Sequence, residues 1–274
     1  MTFKTGIFAL PASVNSNLDG VDYVRSLGAA AFEPFASKDL AFPDHDAAIR
    51  IRNAAQEAGI ALPCLSMVAN LSSPGGDAEV ERLKQYAEVA RIMGIPYLHH
   101  TLFPVLNPAE RRPFDELLAG VASRVREVFD FAADLGVQCV YEDQGFSFNG
   151  VANFRRFLEA LDRPAGVVLD LGNTAFALEK PLAFAEAFAE RIVHVHVKDY
   201  RILPSPEGAR YSLPDGTGLA PAPLGEGDMN ITAALEFLRK TGYSGWYMLE
   251  NESRTDAVAE QKADLKKLSD LLNR

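Results

Sequence analysis

Cysteine is scarce in this 274-residue chain: Cys64 and Cys139 are the only two, each inside an apolar run and in no paired metal-ligand spacing. A disulfide-stapled scaffold and a thiolate metal cluster are therefore excluded, and two reduced core thiols fit a reducing compartment. Positive charge is also short, with 27 Lys plus Arg against 37 Asp plus Glu and a formal net charge of −10. Nucleic-acid binding draws on clustered cations that displace counterions, so no nucleic-acid partner is expected. No apolar run approaches the roughly 20 residues of a membrane span. The opening MTFKTGIFALPASVNSNLDG has too short an apolar stretch for a signal sequence. The expectation is a cytoplasmic protein with no membrane partner. What remains is ordinary folded composition, 48% hydrophobic and 23% charged, with no low-complexity tract or linker.

Short β-rich apolar runs alternate with segments whose apolar residues recur every three or four positions, and there are eight such pairs. FKTGIFAL begins the series, followed by a helix N-capped at Asn17 or Asp19 and ended by Gly28. Helices ended by Gly59, Gly94 and Gly136 separate the runs AAAFEPF, IALPCLSM, IPYLHHTL and VQCVYED. GVVLDLG, IVHVHVKDY and GWYMLENE follow, with Pro181 in the first turn of one intervening helix and a final helix from about Thr255 to the end. One long Pro- and Gly-rich insertion, at about 201–230, interrupts the pattern. Eight strand–helix pairs in one domain of this length predict a single-domain (β/α)8 barrel spanning 1–274. A doubly wound open sheet is the structural rival, but FALPASVNSN stands where a GxGxxG fingerprint would follow the first strand.

In such a barrel the strand C-terminal ends line the mouth, and the last four strands each end near an ionisable residue: Glu142, Asp170, His196 and Glu250. Three carboxylates converging in a partly dry pocket would repel one another unless a cation neutralised them. Three oxygens and one imidazole suit Mn²⁺, Mg²⁺ or Co²⁺, with Zn²⁺ also possible. Each residue taken singly could instead cap a helix or carry a solvated charge. His194 shares the inward parity of His196 but lies deeper, where a neutral hydrogen-bonded histidine is expected. His99 and His100 are adjacent, so only one can enter the barrel, and His100 is taken as the substrate contact. Glu33 ends the second strand, where it can reach the mouth or serve as a cap or ion-pair partner.

Around these residues the sequence resembles the xylose-isomerase-like TIM-barrel superfamily of sugar phosphate isomerases and epimerases, which also includes family 2 AP endonucleases. The likeness is carried by CVYED, VVLDLGN, HVHVKDYR, PLGEGDMN and GYSGWYMLENE. It implies that Glu142, Asp170, His196 and Glu250 hold one divalent metal, and that Glu142 and Glu250 also transfer protons. Several epimerases of the superfamily place a histidine three residues after the strand-six aspartate. Here that residue is Asn173, which can hydrogen-bond a sugar hydroxyl but cannot take a proton.

The implied activity is metal-dependent sugar or sugar phosphate isomerisation or epimerisation by proton transfer through an enediolate. Lys198 and Arg201 are candidates for a substrate oxyanion or phosphate, with a surface ion pair as the alternative. Phe8 is an expected apolar wall for the sugar, and the 201–230 insertion is an expected cover for the mouth. An inosose- or dehydroshikimate-type dehydratase would use the same site. An AP endonuclease would need more strand-end histidines and a basic surface, and a non-catalytic sugar-binding barrel is the last rival. The expected partner is a small sugar or polyol, and the resemblance implies a homodimer or homotetramer.

Overall fold

The computed structural model describes residues 3–72, 74–252 and 256–273. In chain order its elements are β1 (Lys4–Ile7), α1 (Asn17–Ser26), β2 (Ala31–Phe32), α2 (His45–Ala58), β3 (Cys64–Met67), α3 (Gly76–Met93), β4 (Tyr97–His100) and α4 (Phe114–Asp134). Next come β5 (Gln138–Glu142), α5 (Val151–Leu161), β6 (Gly166–Asp170), α6 (Pro181–Phe188), β7 (Ile192–Val197), β8 (Asp199–Leu203), β9 (Tyr211–Ser212) and β10 (Gly218–Ala222). The chain closes with α7 (Ile231–Lys240), β11 (Trp246–Leu249) and α8 (Ala257–Leu272).

Eight strands form one sheet in the order β2-β1-β11-β7-β6-β5-β4-β3. Every pairing within it is parallel. Its two ends meet through parallel bridges between Ala31 and Ala61 and between Phe35 and Ser66, so the sheet closes into the expected (β/α)8 barrel. No helix among the described residues is long and apolar enough to cross a membrane.

Local sequence explains the element ends. The cap of α1 is Ser16, whose hydroxyl accepts from Asp19 N at 2.9 Å, rather than Asn17 or Asp19. Asn17 is drawn elsewhere: its side-chain amide donates to the carbonyls of Phe35 and Ser37, tying α1 to the loop after β2. Gly59 and Gly94 end α2 and α3 in the left-handed conformation that glycine adopts without a Cβ penalty. Asp256 caps α8, and the expected start of that helix at Thr255 lies outside the described residues, as does Arg274 at its end.

Alternation along each strand sorts the side chains. Outward residues such as Leu65, Leu98, Tyr141, Leu169 and Val195 join the large apolar core beneath the helices. Inward residues Cys64, Val140 and Val168 form a small separate layer inside the barrel. Gly6 belongs to that crowded interior, because a Cβ there would sit 2.6 Å from both the Ala31 carbonyl oxygen and the Met248 methyl.

The insertion is more ordered than the Pro- and Gly-rich loop its composition suggests. Antiparallel strands β8, β10 and β9 make a three-stranded sheet. The turn after β10 is held by Asp199, whose carboxylate accepts from the backbone N–H of Gly225 at 3.0 Å and of Gly227 at 3.1 Å. Glu252, just beyond β11, accepts from Tyr200 at 2.5 Å and lies 2.9 Å from Arg210, so the small sheet is fastened to the barrel rim.

Candidate functional site

The inward parity continues to the barrel mouth. Glu142 and Asp170 are the last residues of β5 and β6, His196 is the last but one of β7, and Glu250 follows β11 by one position. Register places Asp170 beside His196 and His196 beside Met248, so these ends rise to a common level. One ligand atom from each of Glu142, Asp170, His196 and Glu250 lies within 4.8 Å of all the others. His196 Nδ1 is 2.7 Å from Glu142 Oε1, 3.5 Å from Glu250 Oε2 and 4.0 Å from Asp170 Oδ2. Lys198 completes the cluster, its Nζ 2.9 Å from both Asp170 Oδ2 and Glu250 Oε1.

Electrostatics follow from burial and mutual repulsion. Burial pushes the Glu250 carboxyl well above the ordinary range, and neighbouring Asp170 and Glu142 push it the same way. Burial also raises Glu142, against the hydrogen bond from His196. Asp170 is buried too, but Lys198, Glu250 and His196 outweigh that effect and hold it at about 2. Burial would lower His196 and Lys198, yet Glu33 and Glu142 raise the first and Asp170 and Glu250 raise the second, each well above its ordinary value. Three close carboxylates facing one imidazole nitrogen fit a divalent cation, whose charge relieves the strain that lifts Glu142 and Glu250.

Beneath the cluster lies Glu33, fully buried. Its Oε2 accepts from His194 Nε2 at 2.7 Å, its Oε1 lies 3.2 Å from His196 Nε2, and Ser66 donates to Oε1 at 2.5 Å. Burial is overcome by His196 and His194, which hold the Glu33 carboxyl well below the usual range. His194 stays low through burial, in line with the neutral hydrogen-bonded histidine expected there. Glu33, Cys64 and His194 also gather within metal-ligand reach, but both Glu33 oxygens are already engaged by hydrogen-bond donors.

A cavity of about 330 Å³ opens above these groups, the size of a small-molecule site. Glu142, Glu250, His99 and Gln144 line its polar end, and Phe8, Leu10, Phe35 and Met67 its apolar wall. Phe8 stacks on His196 with ring centroids 4.7 Å apart. Of the adjacent histidines it is His99 that faces inward. His100 turns outward, where its Nδ1 donates to the Thr101 carbonyl at 3.1 Å and its ring meets Tyr141 edge-on. The signal was available in YLHH, since Leu98 belongs against the helices and His99 must then point the other way.

Other expected contacts sit elsewhere. Glu33 lies below the cavity floor instead of at the mouth. Arg201 is exposed on β8 and donates to the Glu226 carbonyl at 3.1 Å. Asn173 is buried outside the cavity lining, its backbone N–H donating to Asp170 at 2.8 Å and its carbonyl accepting from Asn149. Lys198 is engaged with the carboxylate cluster, not presented as a free anion site.

Residues 21–273 match the family model described as xylose isomerase-like TIM barrel. Among curated proteins, the chain is 36% identical over 192 residues to "Rhizopine catabolism protein MocC" of Rhizobium meliloti, covering 64% of this chain and 58% of that protein. It is 27% identical over 153 residues to "Inosose dehydratase" of Serratia proteamaculans, covering 52% of this chain and 51% of that one. The matches thus span only a little over half the length of these relatives. Among solved structures, a xylose isomerase domain protein from Planctomyces limnophilus superposes with a TM-score of 0.78 at 19% identity, covering 100% and 97% of the two chains. A xylose isomerase-like TIM barrel protein from Mycobacterium smegmatis in complex with magnesium gives 0.73 at 20%, covering 96% and 89%. The 3-keto-D-glucoside 4-epimerase of E. coli gives 0.76 at 16%, covering 98% and 99%. At these identities the structural likeness concerns the fold.

Proposed function

The chain belongs to the xylose isomerase-like TIM-barrel family, and from that premise we propose a divalent-metal-dependent enzyme that removes a proton beside the carbonyl of a small neutral polyol or sugar. The observation that carries this reading is the convergence of Glu142, Asp170, His196 and Glu250 under a cavity that Glu142 and Glu250 also line. Those four residues would hold the metal, which when bound supplies positive charge to stabilise negative charge developing on the substrate.

The chain's own groups account for the rest. Glu142 and Glu250 line the cavity, and burial raises both carboxyls above their ordinary range, which favours holding a proton there. They end strands separated by β6 and β7, so they approach the cavity from different sides. His99 is kept neutral chiefly by burial, and its Nε2 has no hydrogen-bond partner, which leaves an acceptor for a substrate hydroxyl. Phe8 and Phe35 exclude water and offer an apolar wall to a carbon ring. Among the described lining residues Lys38 is the one cation, and its ammonium donates to the Val14 carbonyl, which favours a substrate without phosphate.

The leading outcome is dehydration of an inosose-type ketone. One glutamate takes the C–H proton, and the electron pair forms a C=C bond as the β-C–O bond breaks. The departing hydroxide takes a proton from the second glutamate and leaves as water. The inosose dehydratase relative supports this outcome. Epimerisation or isomerisation is the second reading, favoured by the placement of two glutamates on separate strands around one cavity. Incubating the Mn²⁺-loaded protein with an inosose distinguishes them. Dehydration yields a conjugated ketone seen by ultraviolet absorbance, epimerisation yields a new stereoisomer seen by NMR, and no change with a panel of keto polyols and ketoses would refute both.

A further inference from the structure

One carboxylate beneath the cavity contacts His194, His196 and Ser66 at once. Glu33 reaches His196 Nε2 at 3.2 Å and 3.3 Å through its two oxygens, leaving Nδ1 as the nitrogen that faces Glu142, Asp170 and Glu250. The same carboxylate accepts the Ser66 hydroxyl proton at 2.5 Å. With that proton committed, the Ser66 oxygen is left to accept from His99 Nδ1, 2.9 Å away. His99 Nε2 then carries the lone pair; it makes no hydrogen bond, lies 3.8 Å from Glu142 Oε2, and belongs to a residue that lines the cavity.

We propose that Glu33 is a positioning residue that orients two histidines at once: His196 directly, with Nδ1 toward the carboxylate cluster, and His99 through Ser66, with its Nε2 lone pair toward the substrate. Outer hydrogen bonds of this kind fix the tautomer and ring orientation of a ligand histidine. The arrangement explains why a fully buried carboxylate lies in the barrel interior among the polar side chains of Ser66, His194 and His196. It also separates Glu33 from Glu142 and Glu250, since Glu33 is not among the residues lining the cavity. The His196 part of the inference rests on the metal reading above, whereas the His99 part does not.

Calorimetric titration with Mn²⁺ tests the first part. Glu33→Gln should bind Mn²⁺ about 10- to 100-fold more weakly than the unaltered protein. Glu33→Asp keeps the buried charge but withdraws it from His196, and it serves the same test if the amide variant does not fold. A folded variant of either kind with unaltered Mn²⁺ affinity would overturn the His196 assignment. Unaltered protein that takes up no Mn²⁺ would end the metal reading itself. ¹⁵N-histidine NMR of the metal-free protein tests the second part independently. His99 should show a protonated Nδ1 and a bare Nε2, and Ser66→Ala should disturb that tautomer. A His99 resonance pattern indifferent to both Ser66→Ala and Glu33→Gln would overturn the relay.

Discussion

Lys198 Nζ lies 2.9 Å from Glu250 Oε1 inside the carboxylate cluster. The same ammonium is 2.9 Å from Asp170 Oδ2 and is almost fully buried, so a lysine that sequence alone would place toward a substrate anion is a structural counter-charge. Its stem also packs over Gly172, where a Cβ would come within 2.6 Å of Lys198 Cγ.

Removing that charge should expose the repulsion it masks. Lys198→Met is expected to destabilise the metal-free protein by about 3–5 kcal/mol, the usual cost of leaving a buried ion without its partner. Added Mn²⁺ should recover more stability in the variant than in the unaltered protein. Urea denaturation in chelator and in Mn²⁺ measures both. Equal losses under the two conditions would show that Lys198 does not compensate the cluster.

Glu142→Gln and Glu250→Gln should each lower turnover by about 10²- to 10⁴-fold, the range for loss of a positioned acid or base. Exchange of the substrate C–H with heavy water, followed by NMR, isolates the first proton transfer from later steps. Undiminished exchange in both variants would remove the pair from the chemistry.

His100 should make the fold acid-sensitive. Burial holds its imidazole at about 4 against an ordinary 6.5, so below pH 6.5 the unfolded chain binds a proton that the folded chain refuses. Stability from this group is complete above pH 6.5 and declines as pH falls toward 4, by about 3 kcal/mol in all at 1.36 kcal/mol per pH unit. His100→Phe should flatten that part of the profile. Denaturation midpoints at pH 7 and pH 5 that change by the same amount in both proteins would contradict the assignment.

Asp199 holds the turn after β10 through backbone N–H groups of Gly225 and Gly227, and also accepts from Tyr200 N at 3.0 Å. Asp199→Ala leaves those donors unpaired and should cost about 1–3 kcal/mol. Limited proteolysis should show faster cleavage between β10 and α7, with the barrel fragments otherwise resistant. Unchanged cleavage there would mean that the turn is held by the strand pairing of the small sheet alone.

Chain-local information was sufficient for the barrel and for much of its site. Eight alternating periods, glycine helix stops and the strand-end positions of Glu142, Asp170, His196 and Glu250 are readable because they depend on spacing of 2 or 3.6 residues along one strand or helix. Parity in YLHH was readable in the same way, and setting Leu98 against the helices would have selected His99 in place of the expected His100. Tertiary structure alone decided which nitrogen of His196 faces Glu142, that Glu33 lies under the floor, that Lys198 turns back onto Asp170 and Glu250, and that the insertion forms a sheet anchored by Asp199 and Glu252. Those facts depend on contacts across 26 to 163 positions of chain, as between Asp199 and Gly225 or Glu33 and His196. At such separations the direction of a long charged side chain is set by the charges that folding gathers around it, and no local periodicity records them.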